Sequence, residues 1–189
     1  MKRIAVVGDI GSGKSYIAKL FNYPIFNADL EVAKTYKINK QFFKNLKKKL
    51  PNYFTSFPVK KEEIIKAITA SEMNLKIITN IIHPVINKKM KLFLKDNQRE
   101  EIVILDIPLL LENKLNRKED VIIYIQSKKT EITKRLKKRK NFNLNLLNKF
   151  KKIQLPLSHK KKKSNFIIKN NFTRRSAILS VRKILKKII

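Results

Sequence analysis

The chain has 189 residues, 43% of them hydrophobic, with 45 Lys and Arg against 14 Asp and Glu and no cysteine. That length supports one domain with a real core and room for inserted segments. The lack of cysteine excludes disulfides, thiolate metal sites and cysteine nucleophiles, and no apolar run approaches the roughly 20 residues of a membrane span.

The N-terminus enters an apolar stretch almost at once, so no signal peptide is expected and a cytoplasmic location is the default. The net charge of +31 has two readings. One is a nucleic-acid or anionic-membrane partner. The other is compositional drift in a chain rich in Lys, Asn and Ile. The lysines spread over most segments, and few aromatics interleave with them as a single-strand platform would need. The expectation is therefore drift, with no membrane partner and no specific nucleic-acid partner. Nonspecific polyanion binding at low salt is still expected.

Ile4-Ala5-Val6-Val7 reads as a buried parallel strand. Gly8-Asp9-Ile10-Gly11-Ser12-Gly13-Lys14-Ser15 follows and fits G-x-x-x-x-G-K-[ST] at every fixed position. Tyr16 to Phe21 then has helical spacing, which supplies the strand–loop–helix context a phosphate-binding loop needs. Gly8, Gly11, Ser12 and Gly13 would present backbone amides to phosphate oxygens. Lys14 would reach the β- and γ-phosphates, and the Ser15 hydroxyl would ligand Mg²⁺.

Pro24 to Asn27 reads as a second strand, ending at Ala28-Asp29. A carboxylate beyond a strand's carboxyl end could take a proton from an attacking hydroxyl, or could cap the helix that follows. Residues 29–98 are mostly helical in pattern. Helices are expected over Gln41–Leu46, Lys60–Ala70 and Glu72–Leu94, the last broken at His83-Pro84. A His before Pro serves as a cap or packing residue, or as a site residue.

Glu101 to Asp106 is an apolar, β-branched strand that ends in an acid. Phosphate-loop enzymes place a second metal-supporting carboxylate there, although Asp106 could equally cap a helix. Pro108-Leu109-Leu110-Leu111 suggests a packed turn, with Glu112 on the acceptor side. Val121–Ile125 is a fourth strand. Thr130–Lys140 then reads as a basic helix with Arg135 and Arg139 on one face. These are a phosphate clamp or a solvated face. Helix is expected over 141–155. His159–Lys163 reads as a flexible charged loop or lid edge, and Phe166–Ile168 as a fifth strand. Ser176–Ile188 reads as a final helix with an apolar stripe, capped by Thr173.

These landmarks together resemble the dephospho-CoA kinase family over nearly the whole chain. They are the phosphate loop, Asn27-Ala28-Asp29, His83-Pro84-Val85-Ile86, Asp106 to Asn113, Arg135 to Arg139, Gln154-Leu155-Pro156, and Asn165 to Asn171. The resemblance implies ATP-dependent phosphorylation of the ribose 3′-hydroxyl of dephospho-CoA, with Mg²⁺. It implies a three-layer α/β fold of the P-loop NTPase type, with a five-stranded parallel sheet. The expected core is about 1–28, 99–127 and 164–189, with a helical substrate-binding insertion about 29–98 and a lid about 128–163. Asp29 matches the general base, and Arg135 and Arg139 match lid positions that close on phosphates. Asn170 matches a residue near the adenine. His83, Pro108, Leu109, Leu110 and Glu112 match the acceptor-side walls. Tyr16 completes the nucleotide-binding set where relatives carry Thr or Ser.

The chain departs from the family pattern at several points. Asp9 stands where Gly is usual, and Asn27 replaces the first acid of an Asp-x-Asp pair. Asn87, Lys149 and Asn165 stand where Arg, Arg and an acid are expected. A monomer or weak oligomer is expected. Two other functions remain open on the residues: a nucleoside monophosphate or small-metabolite kinase of the same fold, and a nucleic-acid-binding ATPase.

Overall fold

The computed structural model describes residues 1–139 and 142–189. Five strands form one parallel sheet: β1 (Lys2–Gly8), β2 (Ile25–Asn27), β3 (Ile102–Asp106), β4 (Val121–Gln126) and β5 (Phe166–Lys169), in the order β2-β3-β1-β4-β5. The expected fold class is thus met. β1 lies between strands that come later in the chain, which makes its carboxyl end the point where the strand order reverses and where ligands of such sheets sit. Ile4, Val6, Ile104, Ile123 and Ile168 share one buried cluster with Ile17, Phe21, Val181 and Ile184 of the helices α1 (Lys14–Leu20) and α9 (Arg174–Ile188). The intervening Ala5, Val7, Val103 and Leu105 are buried on the other face by the two-residue alternation of strands. Strands buried on both faces read as continuous apolar runs, which is why they were visible in the sequence.

A buried ion pair ties the start of β1 to the turn before β4. Arg3 Nη2 lies 2.9 Å from Asp120 Oδ2, and Asp120 also accepts from the Arg117 amide at 2.9 Å. Burial pushes the Asp120 carboxyl up and the Arg3 guanidinium down, and the pairing opposes both shifts.

The chain divides into two compact units. The sheet unit comprises 1–27, 96–142 and 153–189, and holds α1, α6 (Lys129–Lys137), α8 (Leu157–Lys162) and α9. The helical unit comprises 28–95 and 143–152, and holds α2 (Ala28–Ile38), α3 (Lys40–Lys49), α4 (Lys61–Ala70), α5 (Glu72–Asp96) and α7 (Leu144–Lys152). Of the stretch expected as a lid, 128–163, one part falls in the helical unit. Its residues 143–152 group with the helical unit, where Lys149 Nζ donates to the carbonyls of Ile68 and Thr69 at 2.8 and 2.9 Å.

Five expectations change. α5 runs unbroken through Pro84. Proline removes one backbone donor, but Leu75, Ile78, Ile82, Ile86, Met90 and Leu94 are buried along one stripe on both sides of it, and that burial carries the helix across. Asp29 sits inside the first turn of α2, not at its cap. Asp106 caps no helix, because Pro108–Lys114 forms turns. α6 ends at Lys137, so Arg139 lies beyond it and shares no helix face with Arg135. The lysine run is not a loop: α8 covers Leu157–Lys162, and Lys160 is 1% exposed. The expected helices over 130–140 and 141–155 reach Lys140 and Asn141, which lie outside the described residues.

Candidate active site at the carboxyl ends of the strands

The loop after β1 holds its shape through glycines that nothing else could replace. Gly8 has φ +148°, and a Cβ there would stand 2.6 Å from the Ile125 carbonyl oxygen of β4. Gly13 has φ +94°, and a Cβ there would meet the Asn170 side chain at 2.5 Å. Both positions need a residue without a side chain. The loop is also braced from the two strands beyond it. The Ser12 carbonyl accepts from Ser127 Oγ at 3.0 Å and from Asn170 Nδ2 at 2.8 Å. Asn170 Oδ1 accepts from the Phe172 amide at 3.0 Å. The buried Asn170 amide thus ties the phosphate loop to the turn that follows β5. The bracing role of Ser127 left no signal in the sequence, because a Ser after a strand has many uses.

Lys14 and Ser15 open α1. Lys14 is 9% exposed, and its Nζ donates to the carbonyls of Asp9 at 2.8 Å and Gly8 at 3.3 Å. The ammonium therefore lies over the loop that would carry phosphate. Ser15 hydrogen-bonds the Asp106 carboxylate, which also accepts from Asn27 Nδ2 at 2.5 Å. Burial pushes the Asp106 carboxyl up, while Ser15, Lys14 and Asn27 pull it back toward the charged form. The structure thus brings the two expected metal-supporting groups, Ser15 and Asp106, into direct contact. A hydroxyl and a buried carboxylate are hard oxygen donors, which suits Mg²⁺. Among the described residues no cluster of three or more His, Cys, Asp or Glu could hold a metal alone. Such a site depends on phosphate oxygens to complete it.

The two unusual loop neighbours, Asp9 and Tyr16, have different surroundings. Asp9 turns back to accept from its neighbour's amide, Ile10 N, at 2.7 Å. Its charge lies near Tyr124, whose phenol is raised first by burial and then by Asp9. Tyr16 is 42% exposed.

α6 packs on the phosphate loop. Leu136 and Ile132 approach to within 3.0 and 3.2 Å of where a Gly11 Cβ would be. Arg135 lays its guanidinium over the Phe172 ring, 4.4 Å from the centroid. Phe172, at φ +64°, borders Gly13. The cation and the ring form a flat surface beside the loop. Nothing in the sequence around Phe172 marks it for this place. Arg139 is exposed, with its amide bonded to the Leu136 carbonyl at 3.1 Å.

Beyond Asp106, Pro108 and Leu109 are half-buried and Leu110 is 1% exposed in the packed turn. Glu112 belongs to a buried network. Its Oε1 accepts from Lys160 Nζ at 2.7 Å and from the Leu155 amide at 3.0 Å, and Lys160 also donates to Gln154 Oε1 at 3.1 Å. Removing one partner of such a pair strands the other charge in the interior. Lys160→Met is expected to cost about 3–5 kcal/mol of unfolding free energy, and Glu112→Leu combined with Lys160→Met markedly less. Urea denaturation of the two variants checks this.

Asp29 and His83 lie in the helical unit. Asp29 is exposed, and its charge reaches Tyr36 one face-repeat along α2, whose buried phenol is pushed up to about 12, mainly by burial and then by Asp29. His83 is half-buried on α5, and burial pushes its imidazole below the ordinary value of 6.5. The neutral form is thus favoured in the fold. Its contribution to stability is present above pH 6.5 and is lost as the pH falls through the lowered value, because the unfolded chain takes up the proton first. His83→Asn should flatten the acid side of a Tm-against-pH curve below pH 6.5.

The family model for dephospho-CoA kinase matches residues 3–175. The dephospho-CoA kinase of Wolbachia pipientis wMel is 27% identical over 187 residues, covering 96% of this chain and 95% of the relative. TT1252 from Thermus thermophilus superposes with a TM-score of 0.79 at 21% identity, covering 100% of this chain and 97% of that one. The dephospho-CoA kinase from Campylobacter jejuni superposes with a TM-score of 0.64 at 22% identity, covering 99% and 97%.

Proposed function

The chain belongs to the dephospho-CoA kinase family, and we propose that it transfers the γ-phosphoryl group of ATP to the ribose 3′-hydroxyl of dephospho-CoA with the residues gathered at the ends of β1, β2 and β3. The observation that carries this reading is the hydrogen bond of the exposed Ser15 to the buried Asp106 carboxylate beside the Lys14 ammonium, next to a complete phosphate loop. The family match over residues 3–175 supports the acceptor.

Phosphoryl transfer asks little covalent chemistry of a protein and much positioning. The amides of residues 11–15 and Lys14 would hold the β- and γ-phosphates. To reach them, Lys14 exchanges the carbonyls of Gly8 and Asp9 for phosphate oxygens. Ser15 and Asp106 would hold Mg²⁺, which when bound supplies positive charge to the phosphates. Arg135 has two uses: it closes on spreading phosphate charge, and with Phe172 it offers a face on which a purine ring can stack. Asn170 acts on the nucleotide through the loop it braces. Arg139 reaches phosphate from beyond α6. Asp29 accepts the 3′-hydroxyl proton, and His83 with the Pro108–Glu112 turn contributes to acceptor binding. The protein acts in the cytoplasm as a monomer or weak oligomer.

Turnover of a panel of acceptors, with ADP release coupled to NADH oxidation, tests the reading. Dephospho-CoA should be preferred over nucleoside monophosphates and small sugars. Preference for a nucleoside monophosphate would overturn the acceptor assignment. ATP hydrolysis stimulated by RNA or DNA without any acceptor would favour the nucleic-acid-binding ATPase.

A further inference from the structure

The charge of the chain is not evenly placed. Residues 132–189 carry twenty Lys and Arg and no Asp or Glu, so this last third supplies most of the net charge of +31. Lysine is the general cation of the sequence, but arginine is sparse. Three of the eight arginines, Arg174, Arg175 and Arg182, lie on α9. They line a shallow surface groove together with Ile178 and Leu179. Compositional drift toward lysine explains the lysines of α9 and leaves its arginines unexplained.

The inner face of α9 is spent on the core through Ala177, Val181, Ile184 and Ile188. Its outer face is a different surface. Arg175, Leu179, Arg182 and Lys186 recur at steps of four, three and four residues, which sets them in one line on a helix. All four are exposed, and Leu179 is 56% exposed in the middle of the line. Lys183 and Lys187 flank it on the solvent side, and Ile189 at the end is 67% exposed. A run of cations around an outward leucine is poorly suited to nucleic acid, whose phosphate ladder gives the leucine nothing and which meets no exposed aromatic on α9. A second copy of the chain would bring like charges together. An anionic lipid surface answers both features, since phosphates meet the guanidinium forks and the leucine reaches the headgroup boundary.

We propose that the outward face of α9 is a docking surface for an anionic phospholipid bilayer. The protein would lie on the membrane without entering it, because the apolar face of the helix is already buried in its own core. The sequence argued against a membrane partner because its lysines spread over most segments, which fits compositional drift, and it has no spanning segment. A surface contact needs no such segment, and the arginines of α9 are not explained by drift toward lysine. The lack of any acid after Glu131 means that nothing near α9 in the chain offsets the attraction, which fades beyond a Debye length of about 8 Å at physiological salt.

Co-sedimentation of the full chain with vesicles at physiological ionic strength tests this. One set is phosphatidylcholine alone, and the other contains one part in three phosphatidylglycerol. Binding is expected to the anionic set only. Arg175→Glu with Arg182→Glu should weaken it at least tenfold, with Arg175→Gln and Arg182→Gln as the milder pair if the reversal disturbs folding. Leu179→Ser should weaken vesicle binding severalfold and leave binding to duplex RNA unchanged. Reversing two exposed lysines of α3, Lys44→Glu with Lys48→Glu, is the charge-matched control and should change vesicle binding less than twofold. The proposal is overturned if the anionic vesicles are not bound, if the α3 control loses as much as the α9 pair, or if Leu179→Ser has no effect on vesicles. Circular dichroism and kinase turnover of the α9 variants should match the parent protein.

Discussion

Lys14→Ala should lower turnover by roughly a hundred- to a thousandfold, the size of effect seen when one preorganised donor to developing charge is removed. Lys14 carries the only Lys or Arg side chain within Gly8 to Ser15, and the other Lys of α1, Lys19, lies in its last turn. The side chain is already almost buried over Gly8 and Asp9. Its desolvation has therefore been met in the folded chain, and moving onto phosphate trades neutral carbonyls for charged oxygens. The same geometry says why folding should survive. Alanine removes two hydrogen bonds to backbone carbonyls but also removes a buried charge. The net loss should be about 1 kcal/mol, or about 2–4 °C in Tm for a chain of this size. Lys14→Arg should rescue little, because a planar fork does not fit a pocket shaped for a point charge. Single-turnover measurements with saturating ATP separate this from weakened binding. Near-normal turnover in Lys14→Ala would remove the phosphate role.

What could be read from the residues was local. The phosphate loop lies within eight consecutive positions, and its flanking strand and helix follow directly. Its glycines need positive φ for reasons any chain obeys. Strands buried on both faces showed as apolar runs, and acids at their ends stood out against them. Non-local facts stayed hidden. The burial of Lys160 depends on Glu112, far back in the sequence, and a run of four lysines otherwise looks solvated. α5 continues through Pro84 because its buried stripe continues, and a proline outweighs a stripe when local rules are applied one at a time. Phe172 gained meaning only when β5 set it beside Gly13 and under Arg135. Asp9 stands where Gly is usual, and its carboxylate accepts from the Ile10 amide, a contact the residue type alone does not announce.

Asp29→Asn should lower turnover by roughly a hundred- to ten-thousandfold, the range in which general bases contribute. The competing account is that Asp29 merely supports α2. It lies in the first turn, where a carboxylate meets the positive end of the helix dipole, and that support is worth about 0.3–1 kcal/mol. The two accounts separate cleanly, because a loss of that size in stability cannot lower turnover a hundredfold in a folded enzyme. The substitution should also leave its surroundings alone. Tyr36 feels the Asp29 charge, but burial is the larger cause of its raised phenol value of about 12, so it stays protonated at neutral pH in either variant. Asn keeps the size and the polar shape of Asp but carries no charge and cannot take a proton. A fall in kcat with little change in KM for dephospho-CoA is thus the expected pattern, and Asp29→Glu should recover part of it. If Asp29→Asn keeps near-normal turnover, the residue is a helix-dipole partner, and the 3′-hydroxyl must lose its proton to the departing phosphoryl group itself.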